Sequence, residues 1–324
     1  MSVDPTSPEK RPPRVSVVMT SYNQADSLAE AIQSVLDQTY QDFEILVVDD
    51  GSQDHALEIV ESLRKKRPDK LFLLTHPGHV NKGIVPTYLL GIAKARGEYV
   101  AFLEHDDCWT RNYLMHKVEI LDTNPEVGVM FSPYKVVRSG AFGIDMVLRQ
   151  WLLRLSIVKT RAFDNFANLL QSNNVATFSC FVTRRELLNQ IPAANSSIWA
   201  YDWWVLVHLS LKSLFYYDAT SFTYWRWSTS SVIGRQTFED HRDRGTKFME
   251  SFYVQLDRDI DNLDPLQKKT FLKYKEIFAY FLVFYRKPSL FSFLRFFNRS
   301  PIWALASLVS SIINILKFKH LKPN

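Results

Sequence analysis

The chain has 324 residues, 46% of them hydrophobic and 23% charged, a balance that fits a globular protein with one large α/β domain or a catalytic domain plus a helical extension. Its formal net charge of +5 is unevenly spread: from Pro265 onward 11 Lys and Arg face the single acidic Glu276, leaving 28 basic and 33 acidic residues elsewhere. The acidic body excludes a nucleic-acid-binding role, and the basic, aromatic tail points to an anionic surface such as a membrane.

The first residues, 1–13, are rich in Pro and Ser, lack the apolar stretch of a secretory signal and read as a short disordered lead. Val15–Thr20 is a mostly β-branched run, a buried strand. Leu28, Ile32, Val35 and Leu36 then repeat at helical spacing, with Asp26 or Ser27 as the expected N-cap. Phe43–Val48 is a second strand, stopped by Asp49-Asp50-Gly51-Ser52. A helix over 54–65, a strand over 71–74, a helix over 84–95 and a strand over 99–103 follow. Glu104-His105-Asp106-Asp107 closes that last strand, ahead of a helix over 113–121. Strands alternating with helices imply a parallel sheet with right-handed crossovers, which puts both carboxylate clusters on the edge where such sheets bind ligands.

The middle, about 139–195, gives no clear pattern; its apolar and basic stretch Met146–Val158 reads as a mobile or an acceptor-side insertion. Residues 200–214 look helical, and 215–218 form an expected edge strand. Cys108 and Cys180 match no metal-ligand spacing and fit a reducing cytoplasm. Near the end, 300–316 runs 17 residues without charge, about 26 Å as a helix and short of a ~30 Å bilayer core. An interfacial helix, with Lys317, Lys319 and Lys322 near lipid headgroups, fits better than a span.

At the end of an extended strand, residues two apart project the same way, so Glu104 and Asp106 would point together. Two such carboxylates suit a hard divalent ion and a ribose hydroxyl, while Asp107 or Thr110 reads as a cap for the next helix. Asp49-Asp50 is ambiguous by itself. An Asp pair after a buried strand also occurs in phospho-acceptor receiver folds, whereas a carboxylate can equally accept from a pyrimidine imide N–H, with Gly51 permitting a tight turn. Tyr22, just after the first strand, is placed either to stack on a base or to pack.

The run Val15–Asn23, then Ser34–Tyr40, Val47–Ser52, Asn81-Lys82-Gly83 and Gly97–Asp107 together resemble the family 2 glycosyltransferases. The resemblance implies a GT-A fold: an α/β domain with a mostly parallel sheet flanked by helices, here about 14–235, followed by a basic helical extension over 236–324. It implies a nucleotide diphosphate sugar as donor, Mg²⁺ or Mn²⁺ as cofactor, and inversion at the anomeric carbon. Carried over by position, Thr20, Tyr22 and Asp50 hold the nucleoside, and Asp106 is the metal-binding aspartate of the DxD-type motif. Glu104, a donor-binding candidate, stands where the family usually has Asp. Tyr88 and Leu89 stand where Arg and Asn are frequent.

Inverting transfer needs a base for the acceptor hydroxyl. Asp202, in Trp199-Ala200-Tyr201-Asp202-Trp203-Trp204, lies just ahead of an apolar helix whose positive end favours its ionised form; the competing reading is an ordinary N-cap. Residues 201–210, with Trp225-Arg226-Trp227-Ser228 and Gly234, are similar to bacterial rhamnosyltransferase-like members, in which an Asp-Trp-Trp element holds the base. Arg226, expected in a loop, would clamp the departing diphosphate; Ser228 stands where His is common. One of Trp203 and Trp204 is expected to line the acceptor site. The function expected is inverting sugar transfer in cell-surface polysaccharide or lipid-linked glycan synthesis, onto a glycan or lipid-linked acceptor, in the cytoplasm and peripherally on the inner face of the cell membrane. The alternative is a catalytically silent nucleotide-sugar-binding or assembly subunit.

Overall fold

The computed structural model describes residues 11–138, 161–171, 173–194, 200–227, 238–286 and 290–299. The stretch Met146–Val158, Ser228, the segment 300–316 and most of the lead lie outside the described residues. In chain order the elements are β1 (Val15–Ser21), α1 (Ala25–Leu36), β2 (Phe43–Asp49), α2 (Ala56–Lys66), β3 (Leu71–Thr75), α3 (Ile84–Lys94) and β4 (Tyr99–Phe102). There follow β5 (Cys108–Trp109), α4 (Tyr113–Thr123), β6 (Val127–Phe131), β7 (Tyr134–Arg138), α5 (Phe166–Leu169), β8 (Phe181–Arg184) and α6 (Arg185–Leu188). The last are α7 (Tyr201–Ser210), β9 (Leu214–Tyr217), β10 (Thr223–Trp227), α8 (Phe238–Arg258), α9 (Pro265–Arg286) and α10 (Leu290–Arg299).

A seven-stranded sheet has the order β3-β2-β1-β4-β8-β6-β9. Its first four strands are parallel, as their alternation with helices predicts. Every residue of β1 and β2 is buried, the pattern of strands covered by helices on both faces. Helix α3 crosses β1 so closely that a Cβ at Gly91 would lie 2.4 Å from the Val18 side chain. Gly51 makes the turn after β2 at φ +79°, and a Cβ there would meet the Asn81 backbone at 2.7 Å. The expected capping of α1 by Asp26 or Ser27 is not what forms: the helix begins at Ala25 after Gln24, with no side-chain bond from the cap residue. Asp54 supplies the acceptor instead, taking the Ala25 N–H at 2.8 Å and the Ala56 N–H at 3.1 Å, so one carboxylate ties down the starts of both α1 and α2.

Beyond β4 the sheet turns mixed. β8 is antiparallel to both β4 and β6, and β9 forms the far edge, parallel to β6. A second sheet, β5-β10-β7, brings β10 back beside Cys108. Arg226 therefore lies in a strand rather than in the loop expected for it. The turn before β10 is pinned from below by buried Lys117, whose ammonium meets Asp218 at 3.3 Å and the Ser221 hydroxyl at 2.8 Å. Burial lowers the Lys117 pKa to about 8. Burial would raise that of Asp218, but Lys117 and the Ser221 and Thr220 hydroxyls bring it down to about 2.

The C-terminal helices are not a detached tail. Phe248 and Phe252 of α8 and Phe271 and Phe278 of α9 are buried in the same apolar cluster as Phe102 of β4 and Phe181 of β8. Each such ring stabilises the fold by about 1.5–3 kcal/mol. Among the described residues, no helix is long and apolar enough to cross a membrane.

Candidate active site

The site grows from the way β4 stops. The strand ends at Phe102, so Glu104 and Asp106 do not extend it; the Asp107 N–H instead donates to the Glu104 carbonyl at 3.0 Å and closes a turn. That curvature brings one carboxylate oxygen from each of Glu104, Asp106 and Asp107 within 4.8 Å of one another. Asp107, read from sequence as a helix cap, thus joins the cluster, and the residue preceding α4 is Asn112.

Asp107 is buried; its Oδ1 accepts the Arg226 N–H at 3.0 Å, and its Oδ2 is buried without a hydrogen-bond partner. Burial drives the Glu104 pKa well above the carboxylate range, with Asp107, Asp106 and Asp202 adding repulsion. Asp107 is raised in the same way, by burial and then by Asp106. Arg226 offsets part of the Asp107 shift, but its guanidinium pairs with Glu30 of α1 at 2.5 Å. Crowded oxygen donors with one orphaned atom fit a hard divalent ion, which takes one or two carboxylates firmly and leaves further positions for phosphate oxygens and water.

Thr20, Tyr22 and Asp50 cluster at the carboxyl ends of β1 and β2, where the Asp50 N–H donates to the Ser21 carbonyl at 2.9 Å. Asp50 is buried and accepts the Lys82 N–H at 2.6 Å and the Gly83 N–H at 3.0 Å, with His76 Nε2 3.6 Å away. Tyr22 is 45% exposed, in keeping with a ring that can receive another ring. Thr20 is buried, and its carbonyl accepts from His105 Nδ1 at 3.2 Å, linking this corner to the acidic turn. The neighbouring Asp49 takes the N–H groups of Gly51 (3.0 Å) and Ser52 (2.9 Å), the Ser52 hydroxyl and His79 Nε2 (2.9 Å). Sequence reasoning passed over His76, His79 and His105. No spacing pattern marks them, and His79 reaches Asp49 only through a turn with left-handed backbone at Gly78 and His79.

Asp202 lies in the first turn of α7, after Ala200, and is not the cap. Its Oδ2 accepts from Asn173 Nδ2 at 2.9 Å. Burial pushes its pKa up to about 6, against the pull of the Trp203 N–H and the Asn173 amide, so it is ionised at neutral pH. Of the two tryptophans, Trp204 is closed off in the core, while Trp203 stays half-buried. Trp204 is fully buried and donates to the Pro192 carbonyl at 3.1 Å; Trp203 donates to the Leu169 carbonyl at 2.7 Å and stacks against Phe248 and Phe252. Tyr88, where a cation would be usual, sits in the core 4.1 Å from the Phe178 ring, and its buried hydroxyl has its pKa raised by burial and by Glu104. The fold therefore gathers Glu104, Asp106 and Asp107 into one cluster, with Asp202 near enough to raise the Glu104 pKa, sets Thr20, Tyr22 and Asp50 along the same edge, and holds the Arg226 guanidinium on Glu30.

Known proteins resemble this chain in sequence and in fold. A 117-residue stretch is 41% identical to an uncharacterized glycosyltransferase of Nostoc sp., covering 36% of this chain and 35% of the relative. A second match, 28% identical, covers 54% of this chain and 78% of WfgD of Escherichia coli, a UDP-Glc:alpha-D-GlcNAc-diphosphoundecaprenol beta-1,3-glucosyltransferase. The chain thus spans about a third of the Nostoc protein's length. Among solved structures, S. aureus TarS 1-349 in complex with UDP-GlcNAc superposes with a TM-score of 0.61 at 21% identity, over 90% of this chain and 81% of that one. The mannosyltransferase PcManGT from Pyrobaculum calidifontis, in complex with GDP-Man and Mn2+, gives 0.60 at 16% identity, over 94% of this chain and 88% of its own. The family model "Glycosyl transferase family 2" matches residues 16–191, more than half of the chain. With that match over the strands that carry the acidic turn, the chain belongs to glycosyl transferase family 2, and its architecture is the GT-A fold.

Proposed function

We propose that this protein moves a sugar from a nucleotide diphosphate onto an acceptor hydroxyl, with inversion at the anomeric carbon. The observation that carries the reading is the acidic turn: Glu104, Asp106 and Asp107 converge with one buried oxygen unpartnered, and a fourth carboxylate, Asp202, is close enough to raise the Glu104 pKa. Asp106, with Glu104 and Asp107, would hold Mg²⁺ or Mn²⁺, which when bound supplies the charge neutralisation that a departing diphosphate requires. Thr20, Tyr22 and Asp50 hold the nucleoside. Asp202 takes the proton of the acceptor hydroxyl as that oxygen attacks the anomeric carbon and the nucleoside diphosphate leaves from the opposite face. Arg226 leaves Glu30 to meet the departing diphosphate in a forked contact.

The named relatives support a nucleotide sugar as donor, since UDP-GlcNAc, GDP-Man and UDP-Glc appear with TarS, PcManGT and WfgD. WfgD's diphosphoundecaprenol substrate supports a glycan or lipid-linked acceptor, in polysaccharide or lipid-linked glycan synthesis. Residues 14–235 would form the catalytic unit and 236–324 its helical extension. The basic surplus after Pro265 supports peripheral contact with the inner face of the cell membrane. Flotation with vesicles containing phosphatidylglycerol at low salt should carry the protein with them; failure to float would remove the membrane from the reading.

The base assignment is tested by Asp202→Asn. A positioned base contributes about 10²–10⁴-fold, so turnover should fall by that factor while nucleotide binding persists. A base works only when deprotonated, so the parent's kcat/KM should fall as pH drops below about 6, and the variant should lack this limb. Near-normal turnover by folded Asp202→Asn would refute the assignment.

A further inference from the structure

Asn173 opens a short turn between α5 and the helical turn Phe178–Cys180. Its Oδ1 accepts the N–H groups of Val175 and Ala176, both at 3.1 Å. Its Nδ2 donates to the Ala176 carbonyl at 3.0 Å and to Asp202 Oδ2 at 2.9 Å. One amide thus grips both sides of Ala176 and the candidate base. Ala176 has φ +88°, a left-handed conformation that favours glycine, so the turn needs this outside support. The same segment reaches the acidic turn a few residues later. The Ser179 hydroxyl accepts the Glu104 N–H at 2.9 Å. Thr177 draws the Glu104 pKa down and Ser179 that of Asp107, each opposing the effect of burial.

We propose that Asn173 is a positioning residue for sugar transfer: by bonding Asp202 and the Ala176 peptide with one amide, it registers the base against the segment that holds the Glu104 N–H. The proposal rests on Asp202 being the base. A carboxylate in the first turn of a helix can rotate about its side chain, and one bond at Oδ2 fixes its plane. Transfer is sensitive to that plane, because a misplacement of about 1 Å at a reacting group costs on the order of 10²-fold.

Asn173→Asp and Asn173→Ser separate this role from support of the turn. Both side chains can accept the N–H groups of Val175 and Ala176. The first has no donor for Asp202, and the second is too short to reach it. Each would be assayed with Mn²⁺ and UDP-glucose, UDP-N-acetylglucosamine or GDP-mannose, whichever the parent turns over, with nucleoside diphosphate release as the readout. The expected result is a roughly 10–100-fold fall in kcat, with donor KM within about twofold of the parent and the melting temperature preserved. Folded variants with kcat within about twofold of the parent would overturn the proposal. So would loss of folding in both variants, or a change confined to KM, since Asn173 would then serve the turn or the donor. Asp202→Asn is run alongside. If it retains turnover, the base assignment itself fails; if it loses turnover while both Asn173 variants keep theirs, the base stands and only the positioning role falls.

Discussion

Two acidic clusters flank β1, one after β2 and one after β4, and they are built on opposite principles. Asp49 and Asp50 are buried among donors: two backbone N–H groups reach each, and Asp49 also takes a hydroxyl and a histidine. Buried Asp107 and half-buried Glu104 and Asp106 crowd mainly against one another, with one oxygen of Asp107 left over. In the first cluster every carboxylate oxygen has a protein donor, which shapes the loops that carry Gly51 and Gly83 and leaves Asp50 one donor per oxygen, with lone pairs to spare for a nucleoside. The second is incomplete as a purely protein structure. Its crowding costs stability until a cation arrives, so the destabilised cluster is the one suited to chemistry.

The sharpest way to break this contrast is to neutralise one member of each. Asp106→Asn should lower sugar transfer by about 10²–10³-fold, or ~3–4 kcal/mol of barrier, on the scale of losing one charge-stabilising group. The metal-free melting temperature should hold or rise, because a like charge has been removed. Asp49→Asn should do the reverse. An amide cannot replace a carboxylate that accepts from two N–H groups, a hydroxyl and His79 at once, so urea denaturation should read a loss of ~2–3 kcal/mol. Equal stability losses in the two variants would show that both clusters are structural.

How much of this the sequence disclosed depends on how local each signal is. β1 to β4 were legible because parallel, doubly covered strands read as unbroken apolar runs, and the four strands alternate with periodic helices. β6 and β8 were not read as strands. Phe181–Arg184 is four residues long and pairs with Tyr99–Ala101, about eighty positions away, so no neighbour in the sequence advertises it. In the site, motif singled out Asp106 and Asp202 as the proposed metal ligand and base. Asp107 was misread because period-two reasoning assumed that the strand continued, whereas a hydrogen bond from its N–H to the Glu104 carbonyl curls the chain. Arg226 was misplaced for a related reason: its strand exists only by pairing with Cys108–Trp109 and Tyr134–Arg138, both distant in sequence. One of the tryptophans at 203 and 204 was expected at the acceptor site; the sequence could not choose between them, because α8, which packs on half-buried Trp203, arrives some forty residues later.

The smallest expected effect bears on how the open cluster meets its donor. Arg226 is joined to the acidic turn by its backbone, through Asp107, and to α1 by its side chain, through Glu30. The Glu30 side chain is 64% exposed, and exposed ion pairs of this kind contribute about 0–1 kcal/mol. Breaking this one is therefore within reach of a diphosphate, which offers a forked guanidinium more charge than a single carboxylate does. Glu30→Gln should leave stability within ~0.5 kcal/mol of the parent while removing the competitor for Arg226. Donor KM should then fall by about two- to fivefold, which corresponds to ~0.4–1 kcal/mol, and Arg226→Ala should raise it. An unchanged KM in both variants would assign Arg226 to holding β10 against Asp107, with no part in the departure of the diphosphate.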